Sequence, residues 1–245
     1  MDDETFQQIQ NYQTPADVVE RLKDIQTVIL TGITGAGKDT IIRRMLDDNR
    51  FVKVITSTTR TPRENNGVME QNGIDYYFLS LDEAQQKIRD GHYIEVNNVH
   101  GLIYGSLIEE YERIDNINRI ALTTVDYQGA DNFLSFGMDK LTVLFIIPPD
   151  FDTWLKRITG RHGGSLDNQQ EEIINRLRSA DKEIAHALQD SRFVPVMNID
   201  IETSANSIID IVINERSPSE QEIANNHVVL RSLHQDIRDY LESNG

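Results

Sequence analysis

The run TVILTGITGAGKDT, from Thr27 to Thr40, constrains this chain more than any other segment. Val28, Ile29 and Leu30 suit a buried parallel strand, and Gly32, Gly35 and Gly37 let the following backbone curl with its N–H groups pointing inward. Ile41, Ile42, Met45 and Leu46 follow at helical spacing, so the loop sits at a helix N-terminus, where the macrodipole and unsatisfied N–H groups favour an anion. Lys38 adds a point charge. The run fits G-x-x-x-x-G-K-[ST] through Lys38, with Thr34 and Ala36 inside the loop, while Asp39 takes the usual hydroxyl position and Thr40 comes one residue later. Such a loop indicates a nucleoside triphosphate and leaves the acceptor open. The bland alternative is a glycine-rich strand-to-helix turn with no ligand.

Phosphate binding must be built locally, because 40 acidic against 24 basic residues leave a net charge of −16, unlike a general nucleic-acid binder. Arg60, Arg63, Arg157, Arg161 and Arg176 are the candidate cations, against the ordinary role of arginines as surface partners of carboxylates. The absence of cysteine excludes disulfides and thiolate metal sites and suits a reducing cytoplasm, the expected location. MDDETFQQIQ has neither a basic n-region nor an apolar h-region, and no apolar run approaches the ~20 residues that span a bilayer. No membrane partner is expected.

The 245 residues suit one substantial core with attached subdomains. Residues 1–25 read as an extension with a short helix around Val18, Val19 and Leu22. FVKVI from Phe51, RIALTTV from Arg119 and LTVLFII from Leu141 read as strands of a parallel sheet covered on both faces, in an α/β fold. Residues 56–107 form an inserted lobe of turns, short strands such as YYFL from Tyr76, and the helix DEAQQKIRD, ended by Gly91. RHGGSLDNQQ, between Gly160 and Gln170, reads as a polar excursion before a helix over 171–189. FVPVM from Phe193 reads as a strand in which Pro195 requires an edge or an end. After a helix over 202–215, Ser217 and Pro218 signal the start of a C-terminal helical extension over 217–245. Its apolar face, Ile223 to Leu241, suits packing on its own domain or, alternatively, a contact with a second copy.

The lobe opens with ITSTTRTPR, where Arg60 and Arg63 flank a turn-forming proline and can converge on one phosphate through bidentate guanidinium contacts. GIDYYF from Gly73, YIEV from Tyr93 and YGS from Tyr104 follow in order. With these motifs the sequence resembles the guanylate kinase family from about Thr27 to Ile213. The resemblance implies a P-loop NTPase fold of three layers, with an inserted mixed α/β nucleotide-monophosphate-binding lobe and a short lid over 157–176, within a domain spanning 26–216. It implies transfer of the γ-phosphoryl group of Mg-ATP to GMP.

Position by position, the resemblance gives Arg60 and Arg63 the acceptor phosphate, together with hydroxyls of Tyr76 and Tyr104, with Glu70 and Gly105 in the same motifs. It gives Thr56 the guanine O6 and Glu95 the guanine N1–H and exocyclic amine, with Ser106 and Asp126 completing the acceptor region. Adenine lacks both donors, so a carboxylate there discriminates chemically. Lys38 and the lid arginines Arg157, Arg161 and Arg176 would offset charge on the transferring group, and Asn198 would lie near the donor adenine. The bland reading of Glu95 is a strand carboxylate paired with an arginine.

Three departures stand out. The interval from Arg63 to Gly73 is about four residues longer than the family spacing, although Glu70 keeps its distance to Gly73. The acidic strand motif D-x-D reads Thr124-Val125-Asp126, and Asp39 adds a carboxylate beside the phosphates. Asp39 and Thr40 are the expected magnesium ligands; alternatively, Asp39 only complements the helix dipole. Two other functions compete: a related P-loop kinase for another phosphorylated small molecule, such as a ribose phosphate, and a guanylate-kinase-like binding module without strong catalysis.

Overall fold

The computed structural model describes residues 3–65, 67–99, 101–160, 166–214 and 216–244. Its first elements are α1 (Asp3–Gln10), α2 (Ala16–Leu22), β1 (Thr27–Thr31), α3 (Lys38–Met45), β2 (Phe51–Lys53), β3 (Ser57–Thr58), β4 (Glu64–Asn65), β5 (Val68–Met69) and β6 (Tyr77–Phe78). There follow α4 (Leu81–Arg89), β7 (Tyr93–Val99), β8 (Leu102–Leu107), α5 (Ile108–Asn116), β9 (Ile120–Thr124), α6 (Tyr127–Ser135) and β10 (Leu141–Ile147). The last are α7 (Phe151–Thr159), α8 (Leu166–Gln189), β11 (Val194–Met197), α9 (Ile201–Ile213) and α10 (Glu220–Asn244). A five-stranded sheet runs in the order β11-β10-β1-β9-β2. Val28, Ile29 and Leu30 of β1 and Phe145, Ile146 and Ile147 of β10 are all fully buried, as strands covered on both faces must be. The expected α/β fold with a parallel sheet core is present. No helix among the described residues is long and apolar enough to cross a membrane.

The chain divides into two compact units: residues 1–27, 50–121 and 132–141 form one, and residues 28–49, 122–131 and 142–245 the other. In the first, a four-stranded sheet has the order β6-β3-β8-β7. α4 packs against it, and its N-terminus carries a capping box: the Ser80 hydroxyl accepts from the Glu83 N–H, and the Glu83 carboxylate accepts from the Ser80 N–H at 2.7 Å. Ala84, Ile88, Tyr93, Val96, Ile103 and Leu107 make the core of this sheet, and Ile9 joins them from α1. That helix has no apolar periodicity in the sequence, since the segment is polar apart from Phe6 and Ile9.

In the second unit, β11 pairs in parallel with β10 and sets Pro195 opposite Phe145. β11 lies at the sheet edge, where a missing N–H leaves no interior ladder bond unmade. α10 covers it: Asn226 Nδ2 donates to the Pro195 carbonyl at 2.8 Å, and Leu230, Leu233 and Ile237 are buried. His234 pairs with Asp181 of α8 at 2.9 Å, and the Tyr240 ring meets Phe151 of α7. The periodic face of the C-terminal extension therefore packs within its own unit, although Val228, which spacing assigns to that face, is 60% exposed.

Two boundaries differ from the sequence reading. Residues 166–170 belong to α8 rather than to the polar excursion: Leu166, Gln169 and Gln170 are good helix formers, and Asp167 and Asn168 fall in the first turn, where poorer formers cost least. α10 begins at Glu220, with the Ser219 hydroxyl accepting from the Glu222 N–H at 3.2 Å. Ser219, rather than Ser217, therefore meets the cap requirement three residues ahead.

Candidate active site

The second unit holds the phosphate loop. β1 delivers the chain into Gly32, and Gly32, Gly35 and Gly37 all take positive φ. At Gly37, the N-cap of α3, φ is 99°, and a Cβ would lie 2.3 Å from Asn198 Nδ2. Only glycine fits that approach. The loop is clamped from two other elements: Trp154 Nε1 of α7 donates to the Thr34 carbonyl at 2.8 Å, and Asn198 Nδ2 donates to the Ala36 carbonyl at 2.7 Å. Asn198 is itself buried and accepts from the Ser204 hydroxyl at 3.3 Å. Its amide, expected near the donor adenine, is engaged with the loop backbone.

Lys38 opens α3 and folds back so that its ammonium donates to the Gly32 carbonyl and, at 3.1 Å, to the Ile33 carbonyl. Asp39 and Thr40 are exposed on the first turn of that helix. Arg157 of α7 donates through Nη2 to the Asn198 carbonyl at 3.4 Å, while its Nη1 is buried with no hydrogen-bond partner among the described residues. Arg176 of α8 pairs with Glu172 at 2.5 Å and donates to the Ile158 carbonyl at 3.4 Å. Arg161 lies outside the described residues. Asp126 belongs to this same unit, where its carboxylate accepts from the Gly129 N–H at 2.8 Å at the start of α6.

Glu183, which sequence reasoning missed, lies in the C-terminal half of α8 within electrostatic reach of both Lys38 and Asp126. Burial pushes its carboxyl above the ordinary range, while the Ser179 hydroxyl, at 2.8 Å, and the Lys38 charge pull it back. Ser179 and Glu183 stand four apart on a polar helix face, a spacing shared by many solvated pairs, so no sequence signal separates them.

The first unit carries the acceptor motifs. The Arg60 guanidinium, 7% exposed, meets the Glu70 carboxylate with Nη1 at 2.8 Å and Nη2 at 3.0 Å. It also lies 5.2 Å from the Tyr76 ring centre and 5.8 Å from that of Phe78. Glu70 holds the guanidinium firmly charged, and Tyr104 adds to that against the cost of burial. Glu70 also accepts from the Arg63 N–H at 2.8 Å, so it ties both ends of the Thr61-Pro62 turn. The Arg63 side chain is exposed. Backbone and side chain thus part company at Arg63: its N–H joins the buried pair and its guanidinium does not.

The long interval after Arg63 forms the β4–β5 hairpin, in which Glu64 pairs with Met69 and Asn65 with Val68. The Glu70 N–H then donates to the Arg63 carbonyl at 2.9 Å. Extra residues are absorbed by pairing them with each other, so Glu70 returns to the place that the motif requires.

Glu95 projects from β7 opposite Ser106 of β8. Its Oε1 accepts from the Ser106 hydroxyl at 3.0 Å, and its Oε2 from Asn97 Nδ2 at 2.7 Å. At Gly105, a Cβ would lie 2.4 Å from the Glu95 carbonyl and 2.6 Å from the Tyr93 ring, so the glycine lets β8 pass close over this strand. Thr56 immediately precedes β3, its carbonyl accepting from the Tyr77 N–H at 2.9 Å, and the Tyr76 and Tyr104 rings meet edge to face at 6.1 Å. Behind them Glu110, 2% exposed, accepts from Arg113, from the Tyr77 hydroxyl at 2.8 Å and from the Ile55 N–H at 3.1 Å. Sequence reasoning missed this buried hub, because Glu109, Glu110 and Glu112 look alike on an acidic helix.

The guanylate kinase family model matches residues 24–215. The chain belongs to the guanylate kinase family. It is similar to the guanylate kinase of Clostridium acetobutylicum, at 32% identity over 77% of this chain and 85% of that protein. It is also similar to the guanylate kinase of Porphyromonas gingivalis, at 34% identity over 68% of this chain and 87% of that protein. Among solved structures, the crystal structure of guanylate kinase from Anaplasma phagocytophilum matches with a TM-score of 0.55 and 25% identity, over 81% of this chain and 89% of that one. Residues 3–23 and 216–244 lie outside the guanylate kinase match and hold α1 and α2 in one unit and α10 in the other.

Proposed function

We infer that this guanylate kinase family member phosphorylates GMP to GDP, with ATP as donor, using residues of both units. The observation that carries the guanine assignment is Glu95. Its carboxylate projects from β7, in the sheet whose strand β3 leads into Arg60, and is oriented by Ser106 and Asn97. Such a carboxylate accepts the two donors on the guanine edge. Glu70 takes the Nη1–Nη2 edge of Arg60 and, with the Tyr76 ring, fixes its plane, so the Nε–Nη2 edge is the one Arg60 presents to a phosphate.

On the donor side, the Lys38 ammonium exchanges the Gly32 and Ile33 carbonyls for phosphate oxygens, and the clamps from Trp154 and Asn198 keep the loop in its binding shape. An oxygen of the GMP phosphate attacks the γ-phosphorus as the bond to the β–γ bridging oxygen breaks, releasing ADP. The attacking oxygen is already ionised, so the protein needs no base. Arg157, whose buried Nη1 has a donor to offer, together with Arg161 and Arg176, offsets charge on the transferring group.

Asp39 and Thr40 offer hard oxygen donors beside the loop and would hold magnesium, which when bound neutralises charge on the β- and γ-phosphates. Asp39→Ala raises the magnesium concentration required for half-maximal rate; an unchanged requirement with only a loss of thermal stability assigns Asp39 to the helix dipole. The function itself is tested by following ATP and GMP by phosphorus NMR. GDP and ADP appear in equal amounts with the native chain and fail to appear with Lys38→Ala. ADP formed with free phosphate instead of GDP contradicts the reading.

A further inference from the structure

The segment that precedes the family match touches the strand that carries Glu95. Tyr12 Oη donates to the Tyr93 carbonyl at 2.6 Å, and Thr14 Oγ1 donates to the Ile94 carbonyl at 2.6 Å. These are the two residues immediately before Glu95. They also mark an irregularity: Tyr93 pairs with Leu107 and Glu95 with Ser106, which leaves Ile94 as an extra residue in β7. Such a bulge interrupts the ladder, bends the strand and re-aims the side chain that follows it. β7 is the last strand of its sheet, so its outer side depends on non-sheet partners for hydrogen bonds.

The contact is built, not incidental. The Tyr12 and Tyr93 rings meet edge to face at 6.4 Å, and burial pushes the Tyr12 hydroxyl up to about 12, keeping it a donor throughout the neutral range. Tyr93 is fully buried beneath Gly105, and its own hydroxyl lies 3.1 Å from the Ser57 hydroxyl. Ile9, one turn earlier, sits in the same core.

We propose that Tyr12 and Thr14 are positioning residues for the acceptor base: by holding the two carbonyls of the bulge, they fix the direction in which Glu95 leaves β7. This rests on Glu95 being the guanine-reading residue. Loss of either hydroxyl lets the bulge relax, so the carboxylate meets guanine less often in the competent orientation. Acceptor affinity falls while the donor loop and the transfer step are untouched.

The test is Tyr12→Phe combined with Thr14→Val in the full chain, which keeps both shapes and removes both donors. The expected result is a rise of about threefold to tenfold in GMP KM, as for one or two modest hydrogen bonds, with kcat and ATP KM unchanged. Calorimetric GMP affinity falls by the same factor. In a Glu95→Gln background the two substitutions have no further effect on GMP affinity, because there is no carboxylate left to aim. Thr14→Ser, which restores a hydroxyl, recovers part of the affinity. A lower melting temperature with unchanged GMP affinity makes the contacts merely structural and overturns the proposal, as does an effect that adds fully to that of Glu95→Gln. If the native chain phosphorylates GMP but Glu95→Gln leaves base preference intact, the reading of Glu95 fails separately and the proposal fails with it.

Discussion

Arg60 shows how one side chain gains its role from three neighbours: Glu70 fixes its plane, the Tyr76 ring covers its face, and burial excludes competing water. Removing Glu70 leaves the cation buried without its counter-charge, so Glu70→Gln weakens GMP binding through disorder of Arg60, and Arg60→Ala removes the contact itself. A charge-assisted hydrogen bond is worth about 1.5–3 kcal/mol, so Arg60→Ala raises GMP KM by roughly tenfold to a hundredfold, with a smaller rise for Glu70→Gln. Steady-state kinetics with GMP varied at saturating ATP measures both. A fall in kcat alone would place Arg60 in the transfer step instead. The motif residues Lys38, Arg60 and Glu95 were legible as residue types at fixed spacing. Glu110, buried, and Glu183, half-buried, were not, since a shielded carboxylate and a solvated one are written with the same letter.

Helix ends set the next level. Asp150 caps α7, the helix that carries Trp154 and Arg157, by accepting from the Thr153 N–H at 2.7 Å and its hydroxyl at 2.8 Å. These bonds, the backbone one foremost, hold the Asp150 carboxyl below its usual range. The folded value is the lower one, so this contribution is present above the unfolded aspartate value of about 3.9 and is lost as pH falls through the folded value. Asp150→Asn therefore destabilises the protein at neutral pH, and the difference from the native chain shrinks in acid. Denaturant titrations at the two pH values check this, and a penalty independent of pH would contradict it. The start of α8 is hard to place from the sequence because its first turn is polar, and polarity alone does not separate a solvated helix from a loop. The β4–β5 hairpin was illegible for a related reason. A longer interval shows that residues are added, and only cross-strand pairing shows where they go.

Over the whole molecule, the parallel sheet was legible because its strands are continuously apolar, and the C-terminal helix because Leu230, Leu233 and Ile237 recur at helical spacing. Which surface that helix covers depends on tertiary packing, which spacing does not encode. Leu233→Ala costs about 2–5 kcal/mol of stability, whereas Val228→Ala, at an exposed position, changes it by less than about 0.5 kcal/mol. Chemical denaturation of the two variants measures the difference, and equal effects would mean that the buried face is not where α10 packs. The central claim, a kinase that reads guanine through Glu95, is tested most directly by ADP release from ATP in the presence of GMP, dGMP, AMP, CMP, UMP or ribose 5-phosphate. A site built for two donors rejects a base that lacks them by a factor of order 10⁴, so kcat/KM for GMP and dGMP exceeds that for AMP by about that much. Equal rates with all the nucleotides, or a faster reaction with the sugar phosphate, would contradict the account.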